Sequence, residues 1–266
     1  MTEGGSVGRQ FGDVSVEVGA DHVAEVEIHR PPNNFFDVAL IRSLAEAYED
    51  LASGGDSRAI LLCAEGKHFC AGADFHQESD ADALPAEGAA SLYHEAVRLF
   101  RADLPVVAAV QGAAIGGGLG LACSADFRVA APEARFAANF ARLGFHQGFG
   151  LSVTLPYIVG NQKALELLYT GQRIGGEEAH HIGLCDRLVP FADVRSGARS
   201  LAADIAASAP LAVRSIRQTM RRQLADAVAK VTEREDAEQI RLRHTSDFTE
   251  GTRASFERRP AQFLGR

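Results

Sequence analysis

An α/β fold of repeated strand–turn–helix units, closed by a helical C-terminal region, is predicted by three features of the sequence. Short apolar runs at Ala59 to Cys63, Val106 to Val110 and Phe127 to Ala130 read as buried strands. The first two are followed by glycine-containing turns, Phe69-Cys70-Ala71-Gly72-Ala73-Asp74 and Gln111-Gly112-Ala113-Ala114-Ile115-Gly116-Gly117-Gly118, each leading into a helical pattern. From Gly197 onward strand signals cease and helical periodicity takes over, which divides the chain into a core of residues 1–196 and a helical region of residues 197–266.

In chain order, Met1 to Gln10 holds little apolar content and reads as a loose tail. Val14 to Val18 and Val23 to Ile28 alternate apolar and polar positions around Gly19-Ala20-Asp21, the pattern of a hairpin. Arg30-Pro31-Pro32-Asn33-Asn34 ends the second strand, and Asp37 is placed to cap a helix reaching about Ala52. His76 to Glu87 carries few large apolar groups and reads as a mobile loop or weak helix. In the C-terminal region Leu201 and Ile205 precede Pro210, and Val213, Ile216, Met220, Leu224, Val228 and Val231 follow at three- and four-residue steps. That much apolar surface on helices must be covered by something.

With 266 residues, 46% of them hydrophobic, the chain can bury a sizeable core as one domain with a C-terminal extension. A formal charge of −8 argues against non-specific binding to nucleic acid or an anionic membrane. The apolar runs are too short to span a membrane, and the N-terminus lacks a basic segment followed by an apolar stretch, so a cytoplasmic protein is expected. Cys63, Cys70, Cys123 and Cys185 show neither metal-ligand spacing nor the density of a disulfide scaffold, and they read as reduced, mostly buried thiols. Cys70, beside the first turn, reads as a small apolar residue tucked behind it.

A backbone free of bulky side chains where a helix begins leaves N–H groups available to a polarised carbonyl oxygen. Two such ends brought together make an oxyanion hole, which stabilises charge developing on a thioester oxygen. The glycines fit nucleotide motifs less well: Gly116 to Leu121 lacks the last glycine of a dinucleotide fingerprint, and no Gly-Lys-Ser/Thr follows.

Phe-Cys-Ala-Gly-Ala-Asp, then Gln-Gly-Ala-Ala-Ile-Gly-Gly-Gly, then Glu250-Gly251 and Phe256-Glu257-Arg258-Arg259-Pro260 together resemble the crotonase (enoyl-CoA hydratase/isomerase) superfamily, in register from about Val14 to the C-terminus. The resemblance implies a spiral of ββα units whose C-terminal helices build trimers or hexamers. It implies an acyl-CoA thioester as substrate, with CoA as part of that substrate and no separate cofactor. It places the oxyanion hole on the main-chain N–H groups of Ala73 and Gly117, the adenine near the backbone of Ala71, Gly72 and Ala73, Gly116 at the second turn, and Arg258 toward the CoA phosphates.

The resemblance also exposes a departure. The two glutamates of family hydratases correspond to Gly120 and Phe140, and neither residue can deprotonate water or deliver a proton. Hydration by the usual mechanism is therefore not expected, and placing glutamates at both positions is expected to introduce it. Gly144 to Gly150, where isomerases and dehalogenases of the family place an acid, offers His146 as the local group able to transfer a proton near neutrality. His76 and His94 read as surface or outer residues, and the adjacent His180 and His181 make a poor metal pair, so no metal is expected. Asp74 reads as a helix cap, while Phe140 and Phe145 read as apolar wall for an acyl group. The leading expectation is a lyase, isomerase or hydrolase acting on a CoA thioester. The alternatives are an acyl-CoA-binding protein that kept the cleft without the chemistry, and a structural oligomer with the cleft closed.

Overall fold

The computed structural model describes residues 8–74 and 86–266. The elements follow one another as β1 (Arg9–Phe11), β2 (Val14–Val18), β3 (Val23–Ile28), α1 (Val38–Gly54), β4 (Ala59–Ala64), α2 (Ala86–Phe100), β5 (Val106–Val110), β6 (Ala113–Ile115), α3 (Gly117–Ser124), β7 (Phe127–Ala130) and β8 (Arg135–Ala137). A 3-10 turn at Asn139–Leu143 leads to α4 (Leu151–Val159), α5 (Asn161–Thr170), β9 (Arg173–Gly175), α6 (Gly176–His181), β10 (Arg187–Leu188), α7 (Val194–Ala206), α8 (Pro210–Arg243) and α9 (Ser246–Glu257). The main sheet has the order β1-β2-β3-β4-β5-β7-β10, and a smaller one the order β6-β8-β9. The first three strands pair antiparallel, and from β3 onward the neighbours in the main sheet are parallel. This is the α/β architecture the sequence predicts.

Parallel strands covered on both faces read as continuous apolar runs, and β4 and β5 are buried at every position. The two-residue period divides them between two cores. Ile60, Leu62, Ala64, Val106, Ala108 and Val110 face α1 and α2, whereas Leu61, Cys63, Val107 and Ala109 face α7. The hairpin and α1 lie as expected, with Asp37 accepting the Leu40 N–H at 2.8 Å.

Two expectations change. The N-terminal segment is not loose throughout, because residues 9–11 pair with β2 and Arg9 forms an ion pair with Asp50. Residues 1–7, like most of the stretch from His76 to Glu87, lie outside the described residues, and α2 begins at Ala86. The region after residue 196 is also integral to the core. Val194, Ala198, Ala202 and Ala206 pack α7 on the sheet with small side chains, where the sequence pointed to Leu201 and Ile205. Leu224, Ala225 and Val228 bury one face of α8 against α2 and α4, while Leu211, Ile216 and Met220 remain exposed on this chain.

A buried charge cluster fixes α8 to the sheet. Asp126, just before β7, accepts the Val106 N–H at 2.8 Å and pairs with Arg217 at 2.8 Å and Arg221 at 3.0 Å. Arg217 also donates to the Ala102 carbonyl. Removing one partner of such a buried group strands the opposite charges without water. Asp126→Ala is expected to lose about 3–5 kcal/mol of stability, read as a fall in the urea midpoint. An unchanged midpoint would mean the cluster does not anchor α8.

Candidate active site

A cavity of about 1410 Å³ opens where the turns after β4 and β6 meet the C-terminal helices. The two turns are held together by main-chain bonds: Cys70 donates to Ala113 O at 2.9 Å, and Ile115 donates to Cys70 O at 3.1 Å. Gly72, at φ +100°, lies so close to Ile115 that a Cβ would stand 3.0 Å from its carbonyl oxygen. Ala71, Gly72, Ala73, Gly116 and Gly117 all line the cavity. The Ala71 N–H is given to Asn33 O at 2.9 Å, and the Gly116 N–H to Ala137 O at 2.8 Å. Among the described residues, the N–H groups of Ala73 and Gly117 have no main-chain acceptor, and Gly117 is the first residue of α3. Two unengaged amides on one cavity, one at a helix start, can serve a carbonyl oxygen that gains negative charge.

Close packing dictates the glycines of α3, a helix buried along its whole length. A Cβ on Gly118 would come within 2.2 Å of Cys70 O, and one on Gly117 within 2.3 Å of the Phe36 ring. Steric contact with Phe36, not backbone conformation, therefore excludes a side chain at Gly117. The positive φ of this turn falls on Gly116, at +57°.

Aromatic rings form the adjoining wall. Phe140 and Phe145 both line the cavity, their centroids 5.4 Å apart, and Phe145 stands 5.3 Å from Phe248. Phe149 is fully buried, packs 5.6 Å from Phe36, and occupies the space beside Gly120, where an added Cβ would lie 2.5 Å from its own Cβ. Both positions that correspond to family glutamates are thus closed by rings, Phe140 by its own and Gly120 by that of Phe149.

Phe149 adopts φ +59°, a conformation that needs outside support in a bulky residue. Tyr93, buried next to this loop, places its hydroxyl where a Cβ on Gly148 would lie 2.2 Å away. Glu235 of α8, fully buried, accepts the N–H groups of Gly150 at 2.8 Å and Ser152 at 3.0 Å, capping the start of α4. Burial raises the Glu235 pKa, while its bonds to Ser152 and Gly150 oppose that rise.

His146 is not brought to the site. It is absent from the residues lining the cavity; its Nδ1 lies 2.7 Å from Gln147 O, and its own carbonyl accepts from Gln239. The backbone bonds that secure the loop turn Phe145 and Gly148 to the cavity instead. His94 is exposed on α2, and His76 lies outside the described residues. His180 is engaged by Cys185 O at 3.0 Å. Asp74 lines the cavity, and the residues directly after it, 75–85, lie outside the described ones. Arg258 lines the cavity as an exposed residue closing α9. Cys70 is fully buried, and burial pushes its thiol up to about 12, consistent with an inert packing residue.

The sequence reading missed His68, Tyr93, Gln239 and Arg243, which also line the cavity. His68 Nδ1 accepts the Ala113 N–H at 3.2 Å, and burial with the nearby Lys67 and Arg135 lowers its pKa. The turn motif that contains it gave no separate signal for this role. Tyr93, Gln239 and Arg243 come from helices remote in sequence, and only tertiary packing brings them in. Elsewhere, Glu25, Glu27 and Cys63 bring ligand-type atoms within 4.8 Å of one another, but Arg195 and Arg199 already pair with the carboxylates.

Residues 19–266 match the sequence model of the enoyl-CoA hydratase/isomerase family. The carnitinyl-CoA dehydratase of Escherichia coli O157:H7 is 31% identical over 254 residues, which cover 92% of this chain and 95% of that protein. The peroxisomal fatty acid beta-oxidation multifunctional protein AIM1 of Arabidopsis thaliana is 37% identical over 212 residues, 77% of this chain, and the match spans only 29% of that longer protein. A crystal structure of an enoyl-CoA hydratase/isomerase from Pseudoalteromonas atlantica T6c superposes with a TM-score of 0.84 at 27% identity, covering 95% of this chain and all of that one.

The packing at Gly120 corrects the expectation that two glutamates would suffice to introduce hydration, because Phe149 leaves no room for the first. Replacing a helical glycine by alanine ordinarily gains about 1 kcal/mol. Here the contact with a Cβ, which cannot swing aside, should outweigh that gain, and Gly120→Ala is expected to cost about 1–3 kcal/mol. In a Phe149→Gly background, which removes that Cβ, the same change should cost nothing or stabilise, as measured by a urea-denaturation double-mutant cycle. Equal costs in both backgrounds would disprove the contact.

Proposed function

The chain belongs to the enoyl-CoA hydratase/isomerase family, and from that premise we propose that it is a CoA-thioester enzyme working through an enolate rather than through glutamate-based hydration. The observation that carries this reading is the pair of unengaged amides, Ala73 and Gly117, on the wall of one cavity. A thioester oxygen bound by both would gain charge as the α-proton leaves, and fixed donors in a water-poor site favour that charge over the neutral carbonyl. The aromatic wall supplies the apolar lining for the acyl chain, and Arg258 serves the CoA phosphates.

With Phe140 at one glutamate position and Phe149 filling the space beside Gly120 at the other, proton transfer is assigned to bound water. The Tyr93 hydroxyl and the Gln239 amide stand beside Gly148 on the cavity wall, where an added Cβ would lie 2.2 Å from one and 2.6 Å from the other. His146, off the cavity, is assigned no step. Isomerisation, thioester hydrolysis and retro-condensation all pass through such an oxyanion. The exposed Leu211, Ile216 and Met220 of α8 are the surface offered for assembly into trimers or hexamers.

The test is exchange at the α-carbon in deuterated water, followed by NMR over a panel of acyl-CoA and enoyl-CoA thioesters. Wild-type protein is expected to catalyse exchange, Gly117→Val to lose about 100-fold or more of it, and His146→Ala to retain it. Circular dichroism checks that the Gly117 variant folds despite its contact with Phe36. Thioester binding without exchange in wild-type protein would favour an acyl-CoA-binding protein that lacks the chemistry.

A further inference from the structure

We propose that the acyl group taken by this cavity ends in a carboxylate, held by Arg243 of α8. This rests on the acyl-CoA reading and specifies the substrate class. Arg243 lines the cavity, and its guanidinium carbon stands 5.9 Å from the centroid of the Phe145 ring. Its Nε is buried and has no hydrogen-bond partner among the described residues. A charged donor cut off from water and left unpaired is costly, and burial of this kind is ordinarily matched by an acceptor.

The neighbouring groups do not supply one. Glu235, two turns earlier on α8, gives both oxygens to Gly150 and Ser152. Asp236 feels Arg243 electrostatically, but its Oδ1 is itself buried without a partner, and it does not line the cavity. Gln239, one turn before Arg243, donates to His146 O. Tyr93 faces the same charge, and burial holds its hydroxyl neutral.

Position distinguishes Arg243 from the other cavity arginines. Arg135, Arg173, Arg253 and Arg258 are exposed, as suits cations at a solvent-facing mouth, and the half-buried Arg30 is already paired with Asp13 and Asp37. Arg243 belongs to the aromatic wall. Phe140 stands at the second turn, where a Cβ on Gly116 would lie 3.8 Å from its Cζ; Phe145 follows at 5.4 Å, and Arg243 comes next. An acyl chain running from the amides along these rings reaches the guanidinium at its far end. The guanidinium lies within cation–π range of the ring, and its fork matches the two oxygens of a carboxylate.

Isothermal titration of wild-type protein with ω-carboxyacyl-CoA thioesters from malonyl to suberyl, each against the fatty acyl-CoA of equal carbon number, tests this. At least one carboxylate-ended ligand should bind tenfold or more tighter than its fatty counterpart. Arg243→Met should remove that preference, and Arg243→Lys should restore part of it. Equal or weaker binding of every carboxylate-ended ligand by wild-type protein, which needs no variant, overturns the proposal and leaves the acyl-CoA reading standing. A preference that survives Arg243→Met overturns the assignment to this residue. Absence of binding by all thioesters of both series overturns the acyl-CoA reading itself.

Discussion

The backbone of the turn after β4 lies against the backbone that leads into α3, and the site depends on this approach. Two hydrogen bonds, from Cys70 to Ala113 and from Ile115 to Cys70, join the turns as a short piece of parallel sheet. Nothing larger than a hydrogen fits between Gly118 and Cys70 O. With their neighbours Ala71 and Gly116 committed to other carbonyls, Ala73 and Gly117 have amides without a main-chain acceptor among the described residues, on the same cavity. Side-chain chemistry plays no part in this arrangement, so its requirements appear as glycine and alanine rather than as charged residues.

The same closeness of packing closes the space at Gly120 and Phe140. Gly120 and Phe149 are complementary: the glycine makes room for the ring, and the ring fills what the glycine vacates. Phe149 holds an uncommon backbone conformation in the loop before α4, where Glu235 fixes the adjoining Gly150 and Ser152. A charged base at either glutamate position would be buried among rings, where the cost of desolvation moves a carboxylate toward its neutral form.

How much of this was legible in the sequence depended on the range of the interactions involved. The hairpin, the Asp37 cap and the buried strands β4, β5 and β7 follow local rules of periodicity and capping, and the sequence reveals them. The two turns were legible as motifs because their glycines are set by backbone contacts that leave a fixed pattern. Arg9 to Phe11 was not, since a three-residue edge strand gains its order from β2 and from Asp50 rather than from its own composition. His146 was assigned to the cavity by its place in the chain, but the hydrogen bonds of its loop turn its neighbours inward instead. Tyr93, Gln239 and Arg243 left no signal, because a polar residue at helical spacing looks the same whether it faces solvent or a cavity.

The C-terminal helices accordingly do two jobs with one set of contacts. Asp126 ties the first half of α8 to the sheet through Arg217 and Arg221, while Glu235, Gln239 and Arg243 at four-residue steps hold and line the cavity wall. That spacing puts the three on one face of the helix, so the loop carrying Phe145 and Phe149 and the guanidinium over Phe145 are positioned by the same rigid element. A helix fixed at one end by buried charge cannot shift its other end without disturbing the wall. The amides that would polarise a thioester and the group that would read the far end of its acyl chain are therefore set at a defined separation by the fold, and chain length becomes a quantity the cavity can select.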